Sequence, residues 1–379
     1  MKIFIIGRSY PSPKSKMMGI FEFEQAAALN RAGHDVSYLY CDLRSVKHQR
    51  QILKTRRHEQ GVALFGANIP LEGLPQKILF RIRESIIIQI IKEAIQEKGV
   101  PDIIHFHFPL LTMTEGICDY LYSLSSKLII TEHWTAVQDR SISPTQEVLL
   151  LRVVKQADLF LCVSDVLRDS ILQYTKNHYF EKIRTVPNIV NDTFQRTGTK
   201  VPHPFSFLFL GRIEPVKRCD MLIRAFEEAF DKDTAVELCI AGNGSQLKKL
   251  QIIKKSMNDS RIHLLGLVSR EDVPILYENA DVCVSASALE TFGVPFAEAW
   301  MSGLPIICAN SIPICAYLQP GVNGRTFSDN SQKELAQCMR QIKEEYHQYD
   351  SEKIADYAKS VFSESVIIHQ IETAYKEVI

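Results

Sequence analysis

The sequence has no excess of charge of either sign, because its 44 lysines and arginines balance its 44 aspartates and glutamates. This balance gives no overall signal for nucleic-acid binding, and we expect no nucleic-acid partner. None of the nine cysteines forms a C-x-x-C pair, and several lie in apolar, strand-like runs. We therefore expect them to be buried, reduced thiols of a cytosolic protein.

The sequence also lacks a hydrophobic stretch long enough to cross a membrane. The most apolar helical stretch, Ile86 to Ile91, is far too short to span a bilayer. The apolar run at the N-terminus is too short for the core of a signal peptide, and it ends at Arg8 rather than at a small-residue cleavage site. These absences predict a cytoplasmic protein without a transmembrane anchor.

Nearly half of the 379 residues are apolar, and the chain is too long for one ordinary core, so two domains are expected. Short apolar strands alternate with helical periodicity, which predicts an α/β protein whose parallel sheets are covered on both faces. The predicted strands are 2–6, 35–40, 102–106, 127–131, 159–163, 206–210, 235–241, 262–265, 281–285 and 304–308.

The alternation pauses once, around residues 187–192. A polar stretch with Gly198, Pro202 and Pro204 follows, and a new strand begins at Phe205. We interpret the pause as a linker between two doubly wound domains. The expected boundaries are 1–192 for the first domain, 193–362 for the second, and about 363–379 for a last helix that packs back on the first.

A glycine and two cations follow the first strand of the second half. Gly211 lets the backbone turn sharply after the strand, and Arg212 and Lys217 come shortly before a predicted helix. Two cations beside the N–H groups of a helix N-terminus can bind a diphosphate. The alternative is that both are solvated loop residues.

Two glutamates flank a loop that leads into a later helix. This loop, 291–294, precedes Pro295, which suits the first turn of a helix, and its free N–H groups can bind phosphate or sugar hydroxyls. Glu290 lies before the loop and Glu298 in the first helical turn, so both can accept hydrogen bonds from sugar hydroxyls. Alternatively, Glu298 only favours the helix dipole and Glu290 is a surface residue.

Three histidines lie at the ends of two strands in the first half. His133 follows strand 127–131, and His105 and His107 end the strand before it. Residues two apart on a strand share a face, so His105 and His107 could bind a metal, but no third ligand is evident. A structural role with satisfied hydrogen bonds is the alternative for His133.

The segment from Glu290 to Ala299, followed by residues 302–307, resembles the signature of family-4 retaining glycosyltransferases. The other matching elements occur in the same order and are Val186–Asn188, Gly211-Arg212 with Lys217, Ala241–Gly244 and Ala280-Asp281. The resemblance implies the GT-B fold, in which two doubly wound Rossmann-like domains face each other across a cleft. The N-terminal domain would bind the acceptor and the C-terminal domain the nucleotide-sugar donor.

The resemblance also implies individual roles. Arg212 and Lys217 would neutralise the diphosphate, Glu298 would bond the ribose, and Leu265 to Leu267 would lie near the base. The implied catalytic residues are His133, Arg212, Lys217 and Glu290. The implied donor-binding residues are Gly19, Gly211, Arg212, Lys217, Gly266, Leu267, Glu290, Phe292, Gly293, Val294 and Glu298. The implied acceptor-side residues are His105, His107 and His133. Met18-Gly19 departs from the glycine pair that the family often carries there.

The expected activity is retaining transfer from a nucleotide-diphosphate sugar, UDP more than GDP, to a hydroxyl of a glycan or a lipid-linked acceptor. Such a reaction would serve cell-surface polysaccharide or glycoconjugate synthesis, and the resemblance implies no metal or other cofactor. The alternatives are a nucleotide-sugar epimerase and a non-catalytic nucleotide-sugar-binding protein. An oxidoreductase is disfavoured, since G-x-G-x-x-G is missing after the first strand.

A basic segment precedes an amphipathic helix in the first half. Residues 44–57 contain no acid but carry Arg44, Lys47, Arg50, Lys54, Arg56 and Arg57. The following helix carries Lys77, Arg81, Arg83 and Lys92 beside Ile78, Leu79, Ile82, Ile86 and Ile90. Such a surface suits an anionic membrane, which predicts peripheral attachment at the inner face of the plasma membrane. The alternative is a solvated basic loop beside a helix that packs on the core.

Overall fold

The computed structural model describes residues 1–11, 18–44, 52–71, 73–194, 203–231 and 233–379. Within them the chain forms two compact units, which are Met1–Ile189 with Ile367–Ile379, and Val190–Val366. We refer to them as unit 1 and unit 2. Unit 2 begins at Val190 rather than at the expected 193, and the return to unit 1 falls at Ile367. Lys47, Arg50, Gly198 and Pro202 lie outside the described residues.

Unit 1 is built on one twisted, largely parallel sheet. Its described strands are β1 (Lys2–Gly7), β2 (Asp35–Asp42), β3 (Leu53–Glu59), β4 (Val62–Asn68), β5 (Ile103–His107), β6 (Lys127–Glu132), β7 (Leu159–Cys162) and β8 (Ile183–Thr185). They are ordered β3-β4-β2-β1-β5-β6-β7-β8, and every neighbouring pair is parallel except the β3–β4 hairpin. The order places the ends of β1, β2, β5 and β6 along the middle of one edge.

Unit 2 contains a smaller sheet of the same kind. Its described strands are β9 (Phe205–Leu210), β10 (Val236–Ala241), β11 (Ile262–Gly266), β12 (Val282–Val284), β13 (Ile306–Ala309) and β14 (Gly324–Phe327). They are ordered β11-β10-β9-β12-β13-β14 and are parallel throughout. The order reverses beside β9, and ligands of open parallel sheets bind at such switch points.

Helices connect the strands in both units. They are α1 (Ile20–Arg31), α2 (Gln76–Lys98), α3 (Pro109–Thr112), α4 (Glu115–Tyr122), α5 (Thr135–Gln138), α6 (Pro144–Gln156), α7 (Asp165–Tyr174), α8 (Cys219–Ala229), α9 (Leu247–Met257), α10 (Val273–Glu278), α11 (Val294–Met301), α12 (Gln332–Glu344), α13 (Ser351–Phe362) and α14 (Glu364–Lys376). Short 3₁₀ turns occur at Phe180–Lys182, Pro215–Lys217, Pro313–Tyr317 and Tyr346–Gln348. In the part of the chain that the structure describes, no helix is both long and apolar enough to span a membrane.

Local sequence explains several of these helix starts. Ser143 and Gln146 form a reciprocal capping box at α6, and the Ser164 hydroxyl accepts a hydrogen bond from the Leu167 N–H at α7. Ser331 caps α12 in the same way, through the N–H of Glu334. Each cap satisfies N–H groups that the helix leaves open, and a cap of this kind contributes about 1 kcal/mol.

The last helix, α14, completes the core of unit 1. Ile367, Ile371 and Tyr375 are almost completely buried among apolar residues of that unit. The side chain of His34 also bonds the Glu372 carboxylate at 2.8 Å. Burying side chains of this size contributes roughly 1.5–3 kcal/mol each, so this helix is an integral part of unit 1.

All ten predicted strands are present, but β3, β4, β8 and β14 were missed. β3 overlaps the basic segment 44–57, for which the sequence predicted no strand. Gln60 and Gly61, both at positive φ, join β3 to β4 through the two-residue turn typical of hairpins. The exposed, basic strand lacks the apolar alternation that identifies strands, while β8 and β14 are short.

Candidate active site

In unit 2, the loops after β9 and β10 pack against each other through their backbones. Gly211 donates its N–H to Ala241 O at 3.0 Å, and Ile213 donates its N–H to Asn243 O at 2.9 Å. A Cβ atom at Gly242 would lie 1.8 Å from Gly211 O. Only glycine permits this approach, which holds the loop carrying Arg212 at the edge of the sheet.

Arg212 and Lys217 lie in different environments. The Arg212 side chain is exposed and forms no hydrogen bond or ion pair with the described residues. Lys217 ends the 3₁₀ turn Pro215–Lys217, and its ammonium group forms an ion pair with the Glu290 carboxylate, both side chains being largely buried. The structure therefore brings two of the predicted catalytic residues into direct contact.

A backbone hydrogen bond ties the two loops that carry this ion pair. Ala288 donates its N–H to Val216 O at 2.9 Å, directly beside Lys217 and Glu290. The members of the pair are 73 positions apart in the sequence, so no local pattern could predict their contact. Because the lysine and the glutamate neutralise each other, the exposed Arg212 contributes positive charge to this edge, and it also helps to lower the pKa of the neighbouring Glu214 carboxyl, after the hydrogen bonds of Ser245.

The loop before α11 presents free backbone donors. Gly293 stands at φ 105, in the left-handed region, and directly precedes Val294, the first residue of the helix. The Phe292 ring is buried and packs edge-on against Tyr317 and Phe362. The N–H groups of Phe292, Gly293 and Val294 donate to no acceptor among the described residues. A helix N-terminus with open N–H groups favours an anion.

Glu298 lies in a buried network that sequence reasoning missed. Its Oε1 accepts a hydrogen bond from Arg270 at 2.5 Å, and its Oε2 accepts one from the Tyr277 hydroxyl at 3.2 Å. Burial and the neighbouring Glu298 charge raise the pKa of Tyr277 well above its usual value. No motif marks Arg270 or Tyr277, since both lie on the preceding strand–helix unit. A carboxylate can accept further hydrogen bonds, so Glu298 retains acceptor capacity for a ligand hydroxyl.

The end of β11 adds an apolar surface to unit 2. Gly266 stands at φ 71, and its carbonyl accepts a hydrogen bond from the Gly242 N–H at 2.7 Å. Leu265 and Leu267 on either side are exposed. Gly266 thus connects this surface to the loop system around Gly211.

In unit 1, Gly19 begins α1 and allows a close backbone contact. It stands at φ 85, and a Cβ atom there would lie 1.9 Å from Ser9 O. Tyr38 donates its hydroxyl hydrogen to the same oxygen at 2.7 Å. A single glycine therefore suffices to bring the N-terminus of α1 against the loop after β1.

Arg8 and Glu22 form an ion pair at the same edge of the sheet. The sequence analysis did not identify this pair. Arg8 Nε donates to Glu22 Oε1 at 2.8 Å, and Glu22 is completely buried. The Arg8 guanidinium also lies 3.3 Å from the centroid of the Phe108 ring. Phe108 itself stacks on His133 with 4.4 Å between ring centroids.

His105 differs from its expected position on the acceptor side. The side chain has no exposed surface, and its Nε2 bonds Thr131 Oγ1 at 2.5 Å. Its Nδ1 lies 2.6 Å from the Tyr375 hydroxyl and 3.1 Å from Gln25 Nε2. His105 is therefore a core residue whose hydrogen bonds are satisfied, because it lies inside β5 and contacts Tyr375 of α14, whereas His107 ends the strand.

His107 and His133 belong to a stack of rings in which His107 is buried and His133 is partly exposed. His107 Nδ1 lies 3.0 Å from His133 Nε2, and His107 stacks on His105 with centroids 4.4 Å apart. The His107 Nε2 atom is buried and has no partner among the described residues. Burial lowers the pKa of His107 to about 4 and holds that of His133 well below its usual value. Both imidazoles are therefore neutral near pH 7.

Glu132 is a buried carboxylate at the end of β6. Its Oε1 accepts the N–H groups of His133 and Trp134 at 2.8 and 2.9 Å, so it fixes the turn that carries the histidine. Burial raises the pKa of Glu132 to about 7, although these hydrogen bonds oppose the rise. The only signal in the sequence was its position beside His133. Among the described residues, no group of three or more His, Cys, Asp or Glu side chains could hold a metal ion.

The GT-B fold is shown by solved structures of similar architecture. Sucrose-phosphate synthase from Thermosynechococcus elongatus matches with a TM-score of 0.80 and 17% identity, covering 100% of this chain and 98% of that one. Anabaena HepE in complex with UDP and glucose matches with a TM-score of 0.72 and 17% identity over 100% of both chains. The two units are thus the Rossmann-like domains of a GT-B protein.

Two family models cover most of the chain. "Glycosyltransferase Family 4" matches residues 20–194 and "Glycosyl transferases group 1" matches residues 191–361. N-acetyl-alpha-D-glucosaminyl L-malate synthase from Bacillus anthracis is 24% identical over 73% of this chain and 75% of its own length. D-inositol 3-phosphate glycosyltransferase from Mycobacterium sp. (strain KMS) is 29% identical over 61% of this chain and 56% of its own length. The chain belongs to the family-4 glycosyltransferases and is a transferase of that group.

Proposed function

We propose that this protein transfers a sugar from a nucleotide-diphosphate sugar to a hydroxyl group and retains the configuration of the anomeric carbon. Unit 2 would bind the donor, and unit 1 would bind the acceptor. The observation that carries the proposal is the grouping in unit 2 of Arg212, the Lys217–Glu290 pair and the open N–H groups of residues 292–294.

In this proposal the diphosphate lies against Arg212, Lys217 and the N-terminus of α11, which all favour negative charge. Glu290 holds Lys217 and accepts hydrogen bonds from the sugar hydroxyls. Glu298 accepts those of the ribose while Arg270 and Tyr277 fix its carboxylate. The exposed Leu267 offers an apolar face to the base. UDP is favoured over GDP because the similar Anabaena structure is described with UDP and glucose.

The proposed chemistry needs no protein base. As the bond to the sugar breaks, negative charge builds on the leaving diphosphate, where Arg212, Lys217 and the helix N–H groups stabilise it. The acceptor hydroxyl attacks the same face of the sugar and gives its proton to a phosphate oxygen. In unit 1, His133 is neutral and would therefore add no charge on the acceptor side. These groups would supply the stabilisation without a metal or another cofactor.

We further propose a glycan or lipid-linked acceptor used in surface polysaccharide or glycoconjugate synthesis, reached at a membrane surface. Four exposed apolar side chains support this proposal, and they are Ile52, Leu53, Leu74 and Ile78. Leu53 pairs with Asn68 at the end of β4, and from there the chain continues through Leu74 into α2. Lys54, Lys77 and Arg81 are exposed beside them. Apolar side chains ringed by cations suit an anionic bilayer.

Two other parts of the predicted membrane surface differ from expectation. Arg56 and Arg57 form ion pairs with Glu97 and Glu59, so they add little net charge. In its second half α2 buries its apolar residues in the core, as the alternative interpretation had it. The proposed membrane-facing surface is therefore confined to Ile52–Lys54 and Leu74–Arg81.

Donor binding and hydrolysis test the proposal. We expect one of the UDP-, GDP- or ADP-sugars to raise the melting temperature, and slow release of free sugar to mark a transferase rather than a binding protein. Lys217→Ala should lower the rate of sugar release or transfer about 100-fold, the effect of removing one group that stabilises transition-state charge. Glu290→Ala should also lower it, through lost sugar contacts.

Lys343→Ala is the matched control in the same unit. Lys343 forms an ion pair with Asp233 at 2.7 Å, on a different part of the surface. This variant should keep the wild-type rate and donor affinity. Wild-type rates in both Lys217→Ala and Glu290→Ala would show that the donor site has been misplaced.

A further inference from the structure

Three arginines and two buried carboxylates meet where β1 and β2 end in unit 1. Arg8 is paired with Glu22, as described above. Arg44 is paired with Asp42 through two side-chain hydrogen bonds, at 2.9 Å from Nε to Oδ1 and 2.5 Å from Nη2 to Oδ2. Arg83 reaches the same place from α2. These five described side chains therefore carry one more positive charge than negative.

Both carboxylate oxygens of Asp42 already accept hydrogen bonds from groups other than Arg83. The Ser9 hydroxyl donates to its Oδ2 at 2.6 Å, and the Arg44 N–H donates to its Oδ1 at 3.0 Å. Burial would raise the pKa of Asp42, but these hydrogen bonds and those of the Arg44 guanidinium outweigh it and lower the pKa. Asp42 is thus a charged anchor that orients Arg44.

Arg83 forms no ion pair with a carboxylate of the described residues, although Asp42 lies near it. Its Nε is buried and has no partner among the described residues, and its Nη1 makes one long bond of 3.4 Å to Leu111 O. Burial is the main cause of a lowered pKa for Arg83. The nearby Cys41 and Asp42 oppose this lowering, and Arg44 adds to it. A partly buried guanidinium with open donors is unfavourable unless an anion completes it.

We propose that Arg83, together with Arg44, binds an oxyanion carried by the acceptor, either a phosphate or a carboxylate. The planar guanidinium offers paired N–H donors that match the oxygens of both groups. Leu111 follows β5, two strands along the sheet from β2, so the Arg83 side chain extends across the end of β1 toward the loop after His107. The inference rests on the proposed function, since only a transferase has an acceptor.

The proposed oxyanion site at Arg83 is distinct from the proposed membrane surface. Arg81 lies two residues earlier on the same helix and is exposed, whereas Arg83 points into the sheet edge. The earlier expectation grouped Arg83 with the membrane-facing cations, and the structure corrects this. An acidic headgroup of a lipid and a free acidic metabolite could both supply the oxyanion.

Binding of simple probes to the full-length protein tests the inference. Calorimetric titrations would compare glycerol 3-phosphate and L-malate with glycerol, and sedimentation would use vesicles containing phosphatidic acid. We expect at least one oxyanion probe to bind and glycerol not to bind. Arg83→Gln should weaken that binding about 10–100-fold, the loss of one charge-assisted contact. Lys92→Gln removes a positive charge from the same helix, outside the proposed membrane surface, and should bind as the wild type does.

Two further measurements keep the outcome decisive. Arg83→Lys retains the charge but not the planar fork, so it should bind with intermediate affinity. Arg83→Gln should melt no lower than the wild type, because it removes a poorly compensated charge, whereas a purely structural arginine would lower the melting temperature. Binding only of vesicles would identify a lipid headgroup as the source, and binding of free probes a soluble acceptor.

The inference would be overturned if no oxyanion probe bound, or if Arg83→Gln bound the probe as tightly as the wild type. Equal losses in Lys92→Gln and Arg83→Gln would also overturn it, since they would indicate a diffuse charge effect. Sugar release by the wild-type protein, measured without any acceptor, reports on the proposed function separately. A protein that releases sugar but fails these binding tests would lose this inference and keep the proposed function.

Discussion

At the scale of single residues, the buried groups around His133 make the protein sensitive to pH. Glu132 holds the backbone of His133 and Trp134 while its own pKa is raised from 4.5 to about 7, chiefly by burial. A carboxyl whose pKa is higher in the folded state favours folding when protonated. Its contribution is therefore fully present below pH 4.5 and is lost as the pH rises through 7.

Glu132→Gln should remove this dependence. A pKa difference between 4.5 and about 7 corresponds to about 3 kcal/mol, so the variant should gain about that much unfolding free energy over the wild type between pH 4.5 and pH 8. Urea unfolding of both proteins at several pH values measures the difference, in which the histidines common to both cancel. A constant difference across the range would show that Glu132 has the same pKa in both states.

At the scale of elements, the junctions on either side of α1 contain glycines that are required for different physical reasons. Gly19 needs both its left-handed conformation and its missing side chain, since a Cβ atom would lie 1.9 Å from Ser9 O. Gly33 stands at φ 91 with no heavy atom near its Cβ position. Comparing substitutions at Gly19 and Gly33 therefore distinguishes the cost of backbone strain from the cost of a steric clash.

Gly33→Ala should cost about 1–2 kcal/mol of unfolding free energy, the strain of alanine at positive φ. Gly19→Ala should cost more, because the N-terminus of α1 must also move away from the loop after β1. Denaturant unfolding of both variants gives the two values. Equal costs would mean that the close contact between Gly19 and Ser9 contributes nothing to stability.

At the scale of the whole molecule, the proposed membrane surface makes a prediction about salt. Wild-type protein should sediment with vesicles rich in anionic lipid at low ionic strength and detach as salt rises. Lys77→Glu should weaken binding about 10-fold or more, from about 1 kcal/mol for each unit of charge changed. Lys92→Glu, at the other end of α2, should behave like the wild type. Absence of wild-type binding at low salt would contradict peripheral attachment.

The alternation of strands and helices, ten of the strands and the family membership could be predicted from the sequence. Apolar periodicity is a local property, so it identifies β1 or β9 without knowledge of any contact. The residues Glu290 to Glu298 are likewise close in sequence, and the helix start at Val294 follows from Gly293 and Pro295. Local patterns were therefore sufficient for the fold class and for one loop of the proposed donor site.

Only the tertiary structure decided which distant residues meet. It paired Lys217 with Glu290, enclosed Glu298 between Arg270 and Tyr277, and turned His105 into the core of unit 1. The same folding left Arg83 at a sheet edge where both carboxylates were already paired. These contacts depend on strand order and on which face of an element is buried, and neither property is encoded in the spacing of residues along the chain.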